Sequence, residues 1–202
     1  ATRTGMAVAI ADKLDTIAGI YATGQKPTGT RDPFGLRRAA LGLLRTTIER
    51  HLEIDLQQLI GQALAALPFA APENCARDVY DYIIERLRAY YVEGGAGFEV
   101  TAEMFDAVLA TRPASPLDFD ARLRALVEFL QLPDAQSLAA ANKRIANILR
   151  KATEPVRDRF DAGLLIDPVE QILGEQIEAI ARQVEPRFAA REYTSALKSL
   201  AV

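Results

Sequence analysis

The sequence predicts an all-α protein, a multi-helix bundle followed by a second helical region. Three observations predict this. Leu and Ala abound, Trp is absent and β-branched runs are scarce, a composition that favours helix over strand. Apolar residues recur at three- and four-residue spacing, and no pair of alternating strand-like segments appears. Gly, Pro and small polar residues punctuate the chain where helices would start and stop. With 202 residues, half of them hydrophobic, it can bury one sizeable core or two small ones.

The first helix is expected over 5–21, with Met6, Ile10, Leu14, Ile17 and Tyr21 on one face. Val8, Ala11, Ala18 and Ile20 leave little polar surface elsewhere, so burial on several sides is expected. Gly24, Pro27 and Gly29 then make a loop, and Asp32-Pro33 reads as the cap and first turn of a helix reaching His51. Leu36, Ala40, Leu43, Leu44 and Thr47 form its inner face. A third helix covers 55–67. A fourth, 75–92, has the cleanest period: Val79, Tyr80, Ile83, Ile84, Leu87, Tyr90 and Tyr91. The run Glu93-Gly-Gly-Ala-Gly97 stops it and is the best internal boundary.

Thr101 caps a short helix to Ala110, and 112–116 is a linker. The helix 118–131 points Phe119, Leu123, Leu126, Val127 and Leu130 inward. Asp134 caps the next, 134–151, with Leu138, Ala141, Ile145, Ile148 and Leu149 inward. Residues 152–167 are irregular, broken by Pro155 and Gly163. Asp167-Pro168 starts a helix to about Val184, and a last segment from Pro186 aligns Phe188, Tyr193, Leu197 and Leu200. The chain lacks an initiator Met and stops inside an amphipathic segment, so it reads as a piece of a longer protein.

Several function classes are excluded. The net charge of −3 provides no global attraction to nucleic acid or anionic membrane, so any RNA contact must come from local basic stripes. No apolar stretch spans a bilayer and no secretory pattern opens the chain. One Cys, Cys75, allows no internal disulfide framework and weakly suggests a reducing cytosol. The one histidine, His51, sits at a helix end, where a cation suits the dipole. No self-contained metal site and no catalytic residue is therefore expected, and no nucleophile elbow occurs. Gly24-x-x-x-x-Gly29 lacks the Lys-Ser/Thr of a phosphate loop and follows a helix rather than a strand.

Two basic surfaces remain. At the first loop, a helix N-terminus beside Lys26 and Arg31 can hold an RNA phosphate, with Arg37 and Arg38 on the helix that follows. Asp32 works against this, and the alternative is an ordinary helix–loop–helix corner. On the helix 134–151, Lys143, Arg144, Asn147, Arg150 and Lys151 oppose the apolar face, and Arg157 and Arg159 follow. Phosphate neutralisation needs such a surface, and a merely solvated helix face is the alternative. Asn142 falls on the apolar side and is expected to bond neighbouring backbone. Asp12 and Asp15, on a largely apolar helix, are expected to cap a neighbouring helix or to pair with Arg37 or Arg38.

Three blocks carry a resemblance: 11–19 with the loop Gly24-Gln-Lys-Pro-Thr-Gly-Thr and the run from Arg31 to Arg45; 138–151; and, more weakly, 191–197. Together they resemble the beta subunit of bacterial heterotetrameric glycyl-tRNA synthetase, in the family's order and over nearly the whole chain. The resemblance implies that 1–97 is the end of an HD-type orthogonal helical bundle. It implies that 98–166 is a connecting region with the basic helix, and that 167–202 begins a truncated anticodon-binding domain. Asp12 matches the final metal-binding aspartate of true HD phosphohydrolases, but the preceding ligands lie outside the chain and no metal is expected here. The implied function is tRNA binding and assembly within a glycine–tRNA ligase of two alpha and two beta subunits, in the cytoplasm and without a membrane. ATP with Mg would be used through the alpha subunit, with no cofactor bound by this fragment. The alternative is a scaffold that contacts the alpha subunit without touching tRNA. Candidate tRNA-binding residues are Lys26, Arg31, Arg37, Arg38, Lys143, Arg144, Arg150 and Lys151.

Overall fold

A computed structural model describes residues 2–29, 31–93, 97–153 and 161–200. Among them the chain is helical: α1 (Arg3–Ala22), α2 (Leu36–Glu49), α3 (Leu56–Ala65), α4 (Cys75–Val92), α5 (Ala102–Ala110), α6 (Pro116–Leu130), α7 (Ala135–Lys151), α8 (Pro168–Ala189) and α9 (Tyr193–Leu200), with a 3-10 turn at Ala162–Leu164. The β-structure among the described residues is one isolated bridge between Thr28 and Arg31. The all-α expectation is met. The helices fall into two compact units, Ala1–Leu123 and Arg124–Val202. The expected stop at Gly94-Gly95, the breaker Pro155, and Arg157 and Arg159 lie outside the described residues.

In the first unit α1 packs on α2, α3 and α4, and α4 packs on α2, α3 and α5. The reason is the period of α4. Val79, Ile83, Ile84 and Leu87 recur on one stripe and are fully buried, as are Ile17, Leu43, Leu44 and Ile60 on the helices packed around it. Each such side chain contributes about 1.5–3 kcal/mol by leaving water. A second layer of the core is aromatic: Tyr91 lies 6.4 Å from Phe119, and Phe119 lies 5.1 Å from Phe105. Two buried tyrosine hydroxyls here are satisfied. Tyr91 Oη donates to Asp120 Oδ1 at 2.7 Å, and Tyr80 Oη donates to the Pro113 carbonyl at 2.7 Å. The Leu56 amide donates to the Ala114 carbonyl at 2.8 Å, so the 111–115 segment is pinned from two helices.

Local chemistry sets most boundaries. Asp55, Thr101 and Asp167 accept from backbone amides at the starts of α3, α5 and α8, as expected of caps. Asp134 makes no such side-chain bond, contrary to expectation. Helix α2 starts at Leu36 rather than Pro33, because Asp32–Gly35 closes a turn first. It ends at Glu49, two residues before His51. There the His51 amide bonds the Ile48 carbonyl and the Leu52 amide bonds that of Thr47, with His51 left-handed at φ 50°. This pairing satisfies the last carbonyls of the helix. Arg191, at φ 61°, repeats the motif after α8. Helix α8 continues through Pro186 to Ala189, past the expected end at Val184.

Several faces expected to be buried are open. Val8 is 63% exposed and Ala11 is exposed, so α1 is covered on fewer sides than its composition suggested. On α6 the buried residue near the end is Phe129, and Leu130 is exposed. In the second unit α8 packs on α9 through Val184, Tyr193 and Ala196, with the Phe188 and Tyr193 rings 6.0 Å apart. On α7, by contrast, Ile145, Ile148 and Leu149 are exposed and Leu138 is only half-buried. Asn142 is exposed rather than buried. The helical period was read correctly. What it could not supply is a neighbour for the apolar side.

Candidate nucleic-acid interface

The first candidate surface is the corner between α1 and α2. Its backbone is held at both ends. Thr28 and Arg31 exchange two backbone hydrogen bonds, of 3.2 and 2.8 Å. Asp32 then accepts from the Leu36 amide at 2.8 Å and from the Arg37 amide at 3.0 Å. It caps α2 from outside Gly35, which stands left-handed at φ 67° with the Arg38 guanidinium lying over it. Partial burial pushes the Asp32 carboxyl upward. The bonds from Arg37 and Leu36, with the charges of Arg37 and Arg38, outweigh this and hold it below its ordinary value. The carboxylate thus occupies the amides that an anion would otherwise take at this terminus.

The four cations at this corner divide into two kinds. Lys26 Nζ pairs with Asp78 Oδ2 of α4 at 2.5 Å and lies 5.7 Å from the Tyr21 ring centre. The bond from Lys26 holds the Asp78 carboxyl below its ordinary value. The Arg37 guanidinium donates to the Gly29 carbonyl and so closes the loop. Both are structural ties. Arg31 and Arg38 are exposed and form no ion pair among the described residues. A cleft of about 560 Å³ opens here, lined by Gln25, Lys26, Thr28, Arg31, Asp32, Pro33 and Phe34. Phe34, 46% exposed, is a residue that sequence reasoning missed. Its signal was a large aromatic residue between two backbone breakers, Pro33 and Gly35, where no core face exists.

The second candidate surface is α7. Ala140, Lys143, Arg144, Asn147, Ile148 and Lys151 line a shallow groove of about 330 Å³ along one side of the helix. Lys143, Arg144 and Lys151 have no acidic partner among the described residues. Arg150 donates to Asn147 Oδ1, an i,i+3 bond to a neutral amide. Arg150 and Lys151 also sit in the last turn, where cations suit the helix dipole. The corner belongs to the first compact unit and α7 to the second.

The remaining chemistry-bearing residues do not assemble. Asp12 and Asp15 are exposed and form no ion pair among the described residues, so the expected pairing with Arg37 or Arg38 does not occur. Thr16 Oγ1 donates to the Asp12 backbone carbonyl, not to its carboxylate. Among the described residues no three His, Cys, Asp or Glu side chains come together as a metal site. Cys75 is buried, and burial pushes its thiol above the ordinary value, making it a poor nucleophile. A cavity of about 780 Å³ lies between α1, α3 and the 50–54 segment and is mostly apolar. Asp15 and His51 are both among its lining residues. No described helix is long and apolar enough to cross a membrane.

Comparison with known proteins covers both surfaces. Residues 1–110 match the family model described as glycyl-tRNA synthetase beta subunit. The glycine–tRNA ligase beta subunit of Marinobacter nauticus is 47% identical over 201 residues, 99% of this chain and 28% of that protein. That of Pseudomonas aeruginosa strain LESB58 is 45% identical over 201 residues, 99% of this chain and 29% of that protein. That of Coxiella burnetii strain Dugway is 45% identical over 196 residues, 96% of this chain and 28% of that protein. The chain spans less than a third of the length of these curated relatives.

Proposed function

From the premise that this chain belongs to the glycyl-tRNA synthetase beta subunit family, we propose that it is a tRNA-binding and assembly part of a glycine–tRNA ligase. In this proposal 1–97 ends an HD-like helical domain, 98–166 connects, and 167–202 begins an anticodon-binding domain. The alpha subunit carries the chemistry that joins glycine to its tRNA at the expense of ATP, with Mg. The complete enzyme is a cytoplasmic assembly of two alpha and two beta subunits. The role of this chain is to position tRNA through its phosphates, with the cations at the α1–α2 corner and on α7 as the binding groups.

The observation that carries this reading is the groove side of α7, where Lys143, Arg144 and Lys151 stand exposed without acidic partners among the described residues. Unpaired cations on a rigid helix release counterions when they meet phosphate, which favours RNA over a neutral partner. The test is charge reversal, Lys143→Glu with Arg150→Glu, in the complete beta subunit. Binding of glycine tRNA should weaken, and its salt slope should flatten by about 0.9 for each phosphate no longer neutralised. Unchanged binding removes α7 from the interface.

One observation favours a second reading. Away from the groove α7 exposes Ile145 and Leu149, which with Ile148 at the groove's edge make a stripe suited to a protein partner such as the alpha subunit. In that reading α7 is a scaffold helix and its cations are solvated. Ile145→Glu would then disrupt subunit assembly while the double charge reversal left tRNA binding intact.

A further inference from the structure

We propose that the α1–α2 corner is a subsite for one unpaired RNA nucleotide, its base stacked on Phe34 and its phosphate on Arg31. This rests on the tRNA-binding reading and deepens it.

Phe34 is an unusual use of an apolar side chain. It is 46% exposed, although its backbone is firmly held on both sides. The Gly35 amide closes a turn onto the Asp32 carbonyl at 3.2 Å, and Pro33 restricts the chain before the ring. On the other side, the Thr28–Arg31 bridge and the Arg37 bond to the Gly29 carbonyl fix the approach to Arg31. The Lys26–Asp78 pair anchors the loop to α4. Several polar groups are thus committed to presenting a ring and a guanidinium at the mouth of one cleft. Such preorganisation lowers the ordering cost of a ligand that uses both.

The lining then selects the ligand. The cleft, about 560 Å³, is within the range of small-ligand sites. It offers one aromatic face, the Arg31 cation with no ion-pair partner among the described residues, a carboxamide at Gln25 and a hydroxyl at Thr28. These match the parts of one nucleotide: a base face, a phosphate, and donors and acceptors on the base edge and ribose. Asp32, also in the lining, does not repel the phosphate as a bare carboxylate would, since two amides and the neighbouring Arg37 and Arg38 charges compensate it. A duplex cannot use the ring, because its base faces are covered by stacking. The α7 groove has no aromatic lining and lacks this selectivity.

The test uses the complete beta subunit with its partner subunit, a single-stranded RNA carrying 2-aminopurine, and a hairpin of equal length whose loop is replaced by a non-nucleotide linker. The wild type should quench the probe on binding. Phe34→Leu, which keeps an apolar side chain but removes the π face, should weaken single-strand binding about tenfold, leave hairpin binding unchanged and keep the salt slope. Phe34→Tyr should restore binding and quenching. Arg31→Gln should lower affinity and flatten the salt slope by about 0.7, one phosphate on a single strand. The proposal is overturned if Phe34→Leu binds the single strand as the wild type does, or weakens strand and hairpin binding equally. It is also overturned if Phe34→Leu impairs only assembly with the partner subunit. Wild-type subunit that binds no glycine tRNA at low salt sinks the parent reading instead, and that control is run first.

Discussion

Removal of the Asp32 carboxylate should loosen the start of α2 in a way that depends on pH. Asp32 accepts from the Leu36 amide at 2.8 Å and the Arg37 amide at 3.0 Å, satisfying two of the helix's orphan donors. Loss of a single side-chain cap costs about 1 kcal/mol, and bonds to an ionised acceptor lie toward the upper end of the range. Asp32→Ala should therefore cost about 2 kcal/mol. Asp32→Asn, which keeps one acceptor oxygen and turns an amino group toward the second amide, should cost about 1 kcal/mol. The assay is amide hydrogen exchange at Leu36 and Arg37 at neutral pH. A loss of about 2 kcal/mol raises the local opening equilibrium about thirtyfold. The sign with pH follows from linkage. Because the folded-state pKa is lowered from 3.8, the stabilisation is fully present above that value and is lost as pH falls through the folded pKa. The gap between wild type and Asp32→Ala, measured by denaturant unfolding, should be widest near neutrality and close on acidification below about pH 4. Equal exchange in wild type and Asp32→Ala, or a gap unchanged in acid, would falsify this account of the corner.

Three further outcomes are expected. His51 occupies the left-handed position after α2, where a side chain costs about 1–2 kcal/mol and glycine costs its extra chain entropy, so His51→Gly should stabilise by about 0.5 kcal/mol in thermal unfolding, whereas His51→Val should destabilise. Tyr91→Phe removes the donor to the buried Asp120 carboxylate and should cost about 1–2 kcal/mol in urea unfolding, without loss of helix content by circular dichroism. Lys26→Gln should lower glycine tRNA binding less than Arg31→Gln does, because Asp78 already neutralises Lys26; equal losses in a filter-binding titration would contradict that division of the four cations.

The order and type of the helices were legible because both rest on local signals. The stripe of Val79, Ile83, Ile84 and Leu87 needs only 3.6-residue periodicity to announce an inward face, and Asp55, Thr101 and Asp167 announce helix starts by bonding amides two or three residues away. The eight candidate cations could likewise be chosen from sequence, since exposure of Lys and Arg is the default. What each cation does could not. Asp78, which occupies Lys26, lies 52 positions along the chain, and the Gly29 carbonyl that takes Arg37 is available only once the loop has closed. Phe34 was missed for a related reason: an exposed ring in a turn has no periodicity, and only the flanking Pro33 and Gly35 mark it.

The same limit explains the faces that turned out open. A hydrophobic period states which side of a helix seeks cover, and both α4 and α7 show such a side. For α4 the cover exists, in α1, α2, α3 and α5. For α7 Ile145, Ile148 and Leu149 remain exposed, and Asn142 meets solvent instead of a buried backbone. Sequence alone determined the helical class, the caps at Thr101 and Asp167 and the family, because these depend on neighbours along the chain or on the run of residues itself. Tertiary structure decided which apolar faces are buried and which cations are paired, because both depend on what long-range folding brings within bonding distance.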